Sequence, residues 1–234
     1  MAERPIYIPA IDGDTFVVTK YVEFQWYPGM AVSQKQKCIN SLHEAAKQLP
    51  NIKTLLEVSS KSREDIGVEL SAFNLMINTV KYNRSFSVES AFQSSKTFEH
   101  GGPYSDILKM TSREAKKDPR IKESGRLVGF RFFGTDWELE PLTAFYDWLY
   151  INALKKQPDH ARQVLNYSAF TDIEFNPERS INCQAYSVAL YASLQRRNLL
   201  EYAISSKSAF LEVVTGAVTS NARQDETIQA GLRF

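Results

Sequence analysis

Residues 87–96 read SVESAFQSSK. A serine in front of an apolar-periodic run is a helix start signal, so a helix is expected from Ser87. One face of that helix is unusual. From Glu89 the positions i+3, i+4 and i+7 are Phe92, Gln93 and Lys96. A surface helix normally keeps its apolar residues on such a stripe. Here a carboxylate, an amide and an ammonium share the face with a phenyl ring. It is either a solvated face or the wall of a site.

The flanking sequence sets the fold class. TFVVTKYVEFQWY (15–27) is β-branched and aromatic and reads as a strand, stopped by Pro28-Gly29. Ser33 is placed to cap a following helix whose Ile39, Leu42, Ala45 and Ala46 have helical spacing, with Pro50-Asn51 as its stop. Residues 52–59 read as a second strand, 61–69 as a polar loop around Gly67, and 70–80 as strand or turn. His100-Gly101-Gly102-Pro103 is the expected end of the Ser87 helix. Short charged helices are expected over 105–125, a strand over 126–134 and a long helix over 138–156. Further helices are expected at 158–166 and 182–197, with a strand at 170–175 between them. The tail after Asn221 is polar. The chain reads as a single α+β domain, more helix than strand. Residues 1–55 are expected as a strand-helix extension packed on the core, 56–220 as the catalytic unit and 221–234 as a C-terminal tail.

Bulk properties narrow the function. The 234 residues are 43% hydrophobic, enough for a full core. Lys+Arg 28 against Asp+Glu 27 gives a net charge of +1, so no global nucleic-acid footprint exists, although a local one is compatible. Two cysteines and three histidines are too few for a zinc cluster or a disulfide framework. No metal and no cofactor are expected. The opening residues have no signal-peptide pattern and no apolar run approaches a membrane span, so a cytoplasmic protein without membrane contact is expected.

Four places carry chemistry. Glu89 falls in the first helical turn, where a carboxylate favours the dipole; flanked by Phe86, Val88 and Phe92, it also suits general acid/base work. Lys61, in VSSKSREDIG (58–67), is either a solvated lysine or an amine nucleophile. The latter requires burial or a neighbouring cation such as Arg63. Residues 113–131 hold seven basic against three acidic residues, Lys116 and Arg120 among them. They form either an ordinary charged surface or a phosphate contact. In FTDIEFNPERSINCQAYS (170–187), Asp172, Glu174, Asn176, Asn182 and Gln184 crowd among apolar residues. Such groups satisfy buried backbone or touch a ligand. Trp137 reads as core, or as a stacking platform for a base.

With these residues placed, the chain resembles the NADAR (YbiA-like) family. Its helix-start signature, S-x-E-x-x-F/Y-Q-x-x-K, is matched by Ser87, Glu89, Phe92, Gln93 and Lys96. Lys61 and Gly67 fit its upstream lysine-to-glycine spacing. LSAFNL (70–75), with Ser71 and Asn74, resembles its S-N-F piece with one extra residue and an altered order. Ala115-Lys116, Trp137, Asp172 and Asn182 resemble its downstream elements. The family's W-G-x-G is absent, replaced by IEFNPERS (173–180), and Phe145 stands where the family has methionine. The resemblance covers about residues 55–197. YVEFQWYPGMAVSQKQKCINSLHEAA (21–46) and INCQAYS (181–187) resemble a narrower branch, antitoxins that accompany DarT-type ADP-ribosyltransferase toxins.

The resemblance implies N-glycosidic cleavage of ADP-ribose from a guanine amine in DNA, reversing the toxin's damage. Lys61 is the implied nucleophile, by a Schiff base with ring-opened ribose, and Glu89 the proton shuttle. Lys96, Lys116 and Arg120 are implied for the diphosphate, and Phe92 or Trp137 for stacking. Ser71, Asn74, Gln93, Asp172 and Asn182 are implied for the ribose hydroxyls or the base edge. The implied partners are ADP-ribosylated DNA and a DarT-type toxin. The alternatives are hydrolysis of ribosylamino pyrimidines of riboflavin synthesis, non-catalytic ADP-ribose binding, and masking of the toxin by contact.

Overall fold

The computed structural model describes residues 1–79 and 83–216. The expected tail at 221–234 lies outside the described residues. In chain order the elements are β1 (Ala2–Pro9), β2 (Val17–Phe24), α1 (Val32–Ala46), β3 (Leu55–Glu57), α2 (Asp65–Glu69), β4 (Met76–Thr79), β5 (Arg84–Ser87), α3 (Val88–Ser95) and β6 (Lys96–Phe98). A 3-10 turn (Ser105–Lys109), α4 (Ser112–Lys117), α5 (Arg120–Glu123), β7 (Leu127–Phe132), β8 (Thr135–Trp137) and α6 (Ala144–Lys155) follow. The chain continues through α7 (Pro158–Gln163), β9 (Ala169–Thr171), α8 (Gln184–Arg196), α9 (Leu200–Ser205) and α10 (Lys207–Gly216). This is the expected α+β class.

A four-stranded sheet of order β2-β1-β9-β3 separates two cores. Side chains alternate across a strand, so neighbouring residues enter opposite layers. Ile6, Leu55 and Ala169 face the smaller core with Cys38, Ile39 and Leu42 of α1. Tyr7, Leu56 and Phe170 face the larger core with α6 and α8. Those two helices are buried almost all round, as α8 shows from Ala185 to Leu194. An apolar surface that encircles a helix marks it as interior. β3 and β9 run parallel, with Leu56 opposite Phe170. That pairing brings residues 58–61 beside residues 171–173.

Several local expectations change. Ser33 lies inside α1, whose N-cap is Ala31 without a side-chain cap. Residues 65–69 are helical rather than loop. α3 stops at Ser95, well before Gly101, because Lys96 turns extended and pairs with Phe130 of β7. The long helix starts at Ala144, after the left-handed Thr143 (φ 70°), and not at residue 138. β1, α9 and α10 were not anticipated. Among the described residues no helix is long and apolar enough to cross a membrane.

Candidate active site

The start of α3 is locked from three sides. Ser87 Oγ accepts from Ser90 N at 3.0 Å, a cap worth about 1 kcal/mol. The amides of Val88 and Glu89 donate to Leu75 O and Ala72 O, each at 2.9 Å. Ser112 Oγ of α4 lies 2.7 Å from both Phe73 O and Ser87 Oγ. The LSAFNL stretch is thereby pinned against the first turn of α3. Glu89 sits at N2, as expected, and is 6% exposed. Its Oε1 accepts from Gln93 Nε2 at 3.0 Å. The helix-dipole role and a poised carboxylate coexist at this one position.

Lys96 closes the same face. Its ammonium lies 5.0 Å from the Phe92 ring centroid. Burial pushes its pKa down to about 8; the Glu89 carboxylate opposes the shift and the Lys116 ammonium adds to it. Phe92, Lys96 and Asn182 line one cavity of about 150 Å³, with Phe130, Phe145 and Tyr146 among its other walls. That is smaller than a whole drug-sized ligand needs, and suits one ring of a larger one. Lys116 stands outside the cavity, 5.2 Å from the ring of the exposed Phe73.

Gln184 ties the second expected element to the first. Its Oε1 accepts from Ala72 N at 2.7 Å and its Nε2 donates to Val58 O at 2.6 Å. The strand leading to Lys61 and the segment carrying Glu89 N are therefore held by one amide. The loop is braced further by Ser59 Oγ, which donates to buried Glu57 at 2.6 Å and accepts from Lys61 N at 3.2 Å. Lys61 is half-buried, with its ammonium 3.1 Å from Ser60 Oγ.

The remaining expected residues divide. Asp172 is buried, and its Oδ1 accepts from Glu174 N at 3.0 Å and Phe175 N at 3.2 Å, shaping the turn after β9. Burial and the neighbouring Glu57 carboxylate raise its pKa well above the ordinary range. Ser71 Oγ and Gln93 Oε1 are buried without a hydrogen-bond partner among the described residues. Such orphan atoms are suited to a ligand. Asn74 is exposed and donates to Val68 O at 2.8 Å. Arg120 is occupied by Asp106 and Asp118, with NH2 2.7 and 2.8 Å from their carboxylates, and covers the Tyr104 ring. Trp137 is 3% exposed, against Phe145, Trp148 and Phe210, and has no face open for stacking. It follows the core reading.

Two residues at the site, Tyr146 and Glu57, were given no role from sequence, and Gln184 was read only as one of several polar groups that satisfy buried backbone or touch a ligand. Tyr146 lines the cavity and meets Phe92 edge-on at 5.2 Å. Burial, with the nearby Glu89 charge, holds its hydroxyl well above the ordinary range, so it remains a donor. Gln184 belongs to the crowded polar segment 170–187, but its double bond to backbone is a tertiary fact. Glu57 accepts from Ser59, Thr171 and Ile173 N at 2.6–2.8 Å, behind the Lys61 loop. Its only sequence signal is a carboxylate at the end of an apolar strand.

The fold and this polar helix face define a NADAR protein. The model of the DarT1-associated NADAR antitoxins matches residues 2–224, and the chain belongs to that family. The match takes in residues 21–46, which were read as resembling this branch, and extends to β1, outside both stretches of the resemblance. None of the curated proteins matches the chain. NADAR proteins as a class are N-glycosidase-like hydrolases, and this branch is defined as antitoxin.

Proposed function

We propose that this protein hydrolyses the bond between the ribose of ADP-ribose and the exocyclic amine of guanine in DNA, and so undoes the modification made by a DarT1-type toxin. The observation that carries the reading is Lys96. It combines an amine shifted to about pH 8, a carboxylate on the same helix face and a cavity of about 150 Å³.

The chemistry balances with these groups and one water. The lone pair of the linking nitrogen expels the ring oxygen, which takes a proton, and an iminium forms at the anomeric carbon. The free amine of Lys96 adds to that carbon. Glu89 relays the amine's proton to the guanine nitrogen, and the carbon–nitrogen bond to guanine breaks. Guanine leaves with its amine restored, and a lysine Schiff base remains. Water adds, Glu89 takes its proton, the lysine departs and the sugar recloses as free ADP-ribose. In this reading Lys116, close enough to Lys96 to lower its pKa, meets the diphosphate, and the orphan Ser71 and Gln93 oxygens meet sugar hydroxyls. Lys61 is the alternative amine, because Gln184 holds its loop to the Glu89 segment.

The test is incubation with a guanine-ADP-ribosylated oligonucleotide, with borohydride added during turnover. Free ADP-ribose, intact guanine and a reduced adduct on the Lys96 peptide are expected. An adduct on Lys61 keeps the chemistry and moves the nucleophile. Release without any adduct gives the reaction to water activated by Glu89. A stable toxin complex with no release from modified DNA overturns the hydrolase reading in favour of masking.

A further inference from the structure

A second cavity, of about 340 Å³, opens beside the first and is lined by Arg84, Ser94, Ser95, Arg131, Phe132 and Phe133, among others. Ser94 and Ser95 are the last residues of α3 before Lys96. Phe130 and Phe132 project from the same side of β7, one into each cavity, and both rings pack on Phe145 at 4.8 and 6.1 Å. Alternate residues on a strand are about 7 Å apart. The two cavities are therefore neighbours along a single strand.

The rim of this groove has an odd residue in an odd place. Phe133 and Gly134 form the two-residue turn between β7 and β8, with φ of 46° and 84°. A turn with both central φ positive selects Asn, Asp or Gly, and a bulky aromatic there is strained. Phe133 is nevertheless present and 52% exposed, with its ring 4.6 Å from Phe132. Strain of this kind at a cavity rim points toward a binding role for the side chain that causes it. Arg131 beside it is paired with Asp136, both exposed. Exposed pairs contribute little and exchange readily for a better anion.

Resting on the hydrolase reading above, we propose that this groove is a track for the single DNA strand flanking the modified guanine. Phe133 stacks on a neighbouring base, and Arg131, exchanging Asp136 for a better anion, meets a backbone phosphate. Aromatic platforms interleaved with arginine are the usual means of holding a single strand without sequence preference. The placement puts the strand one alternate-residue step along β7, about 7 Å, from the cavity beside Lys96, so the scaffold that carries the damage is read together with the damage.

The test uses an unmodified single strand of about 12 nucleotides, within the usual site sizes, and fluorescence anisotropy. Phe133→Asn suits the turn and removes the ring; it should weaken binding about tenfold, the scale of one lost stack. Arg131→Ala should lower the slope of log affinity against log salt by about 0.7. Asp136→Asn frees Arg131 and should tighten binding, a gain that no folding defect produces. In turnover, Phe133→Asn should lower kcat/KM for the modified strand relative to the modified mononucleoside by about the same tenfold factor. Unchanged strand binding in all three variants overturns the track. So does an equal loss on strand and mononucleoside, or loss of toxin association in place of strand binding. If the wild type releases ADP-ribose from neither substrate, the hydrolase reading fails, and the anisotropy series still decides the groove.

Discussion

Gln93 Nε2 donates to Glu89 Oε1 at 3.0 Å across one turn of α3, and both side chains are 6% exposed. A buried carboxylate held by a single amide has a fixed orientation and an oxygen left for other work. Glu89→Gln keeps an acceptor for Gln93 and keeps the shape. It should lower kcat on the modified strand by roughly 10² or more, the scale of a lost general acid/base, with the melting temperature little changed. Parallel losses of rate and stability would return Glu89 to a purely helix-start role.

Tyr146→Phe removes one hydroxyl from the cavity wall and leaves the ring against Phe92. Among the described residues no hydrogen bond holds that hydroxyl, so the fold should be unaffected. A donor beside the developing alkoxide of the opened ring stabilises charge in the transition state, and a tenfold or larger fall in kcat is expected. Full activity would reduce Tyr146 to a packing residue.

Gly67 is required for space, not for a turn. A Cβ there would lie 2.1 Å from Glu57 O and 2.3 Å from Ser62 Oγ. Since the first of these is backbone, β3 and the Lys61 loop must move to admit a methyl. Gly67→Ala should destabilise by about 1–3 kcal/mol, as overpacking does, and depress activity with it, as denaturant melts and turnover will show.

The same glycine explains what the sequence concealed. Gly67 amid charges reads as a loop, yet a five-residue helix forms because that glycine lets it press on β3. β1 was hidden by Pro5 and Pro9, which argue against a central strand. β9 reaches β1 only at Tyr7, so Pro5 faces no ladder on that side. The end of α3 is also tertiary: β7 captures Lys96 before the helix reaches its local stop at Gly101. By contrast Ser87 was legible as the helix cap, and Glu89 and Gln93 as neighbours one turn apart on a single face, whereas Lys96 follows them in extended backbone. Gln184, Tyr146 and the strained Phe133 take their meaning from partners distant in sequence, and no local pattern encodes them.

Asp147 is buried on α6 where it faces α8, accepting from Thr143 Oγ1 and Ser187 Oγ, each at 2.6 Å. Burial pushes its pKa up to about 7, and the two hydroxyl bonds only partly oppose this. A raised folded-state pKa means the folded protein binds the proton more tightly than the unfolded chain. Asp147 thus favours folding at acid pH and loses that contribution as pH rises from about 4 to about 7. Asp147→Asn copies the protonated form. Its stabilising effect should be larger at pH about 8 than at pH about 5 by roughly 2–3 kcal/mol. Melts at the two pH values check this; equal effects at both would mean the carboxyl titrates normally.

Lys96 sets the pH dependence of turnover. A lysine attacks carbon only as the free amine, and with a pKa of about 8 roughly one molecule in ten carries it at pH 7. The log of kcat/KM should rise with a slope near 1 up to about pH 8 and then level. The neighbours give the direction of each perturbation. Lys116→Ala removes a cation that lowers the Lys96 pKa, so the rising limb should move to higher pH. Glu89→Gln removes the charge that raises it, so the residual activity should titrate at lower pH. Opposite displacements in the two variants identify the titrating amine as the one between them. Lys96→Arg keeps a charge but presents a guanidinium that stays protonated, so it should bind ADP-ribose without turning it over. If Lys96→Arg is active and Lys61→Arg is inert, the nucleophile belongs to the loop held by Gln184, and Lys96 becomes a cation that positions the diphosphate.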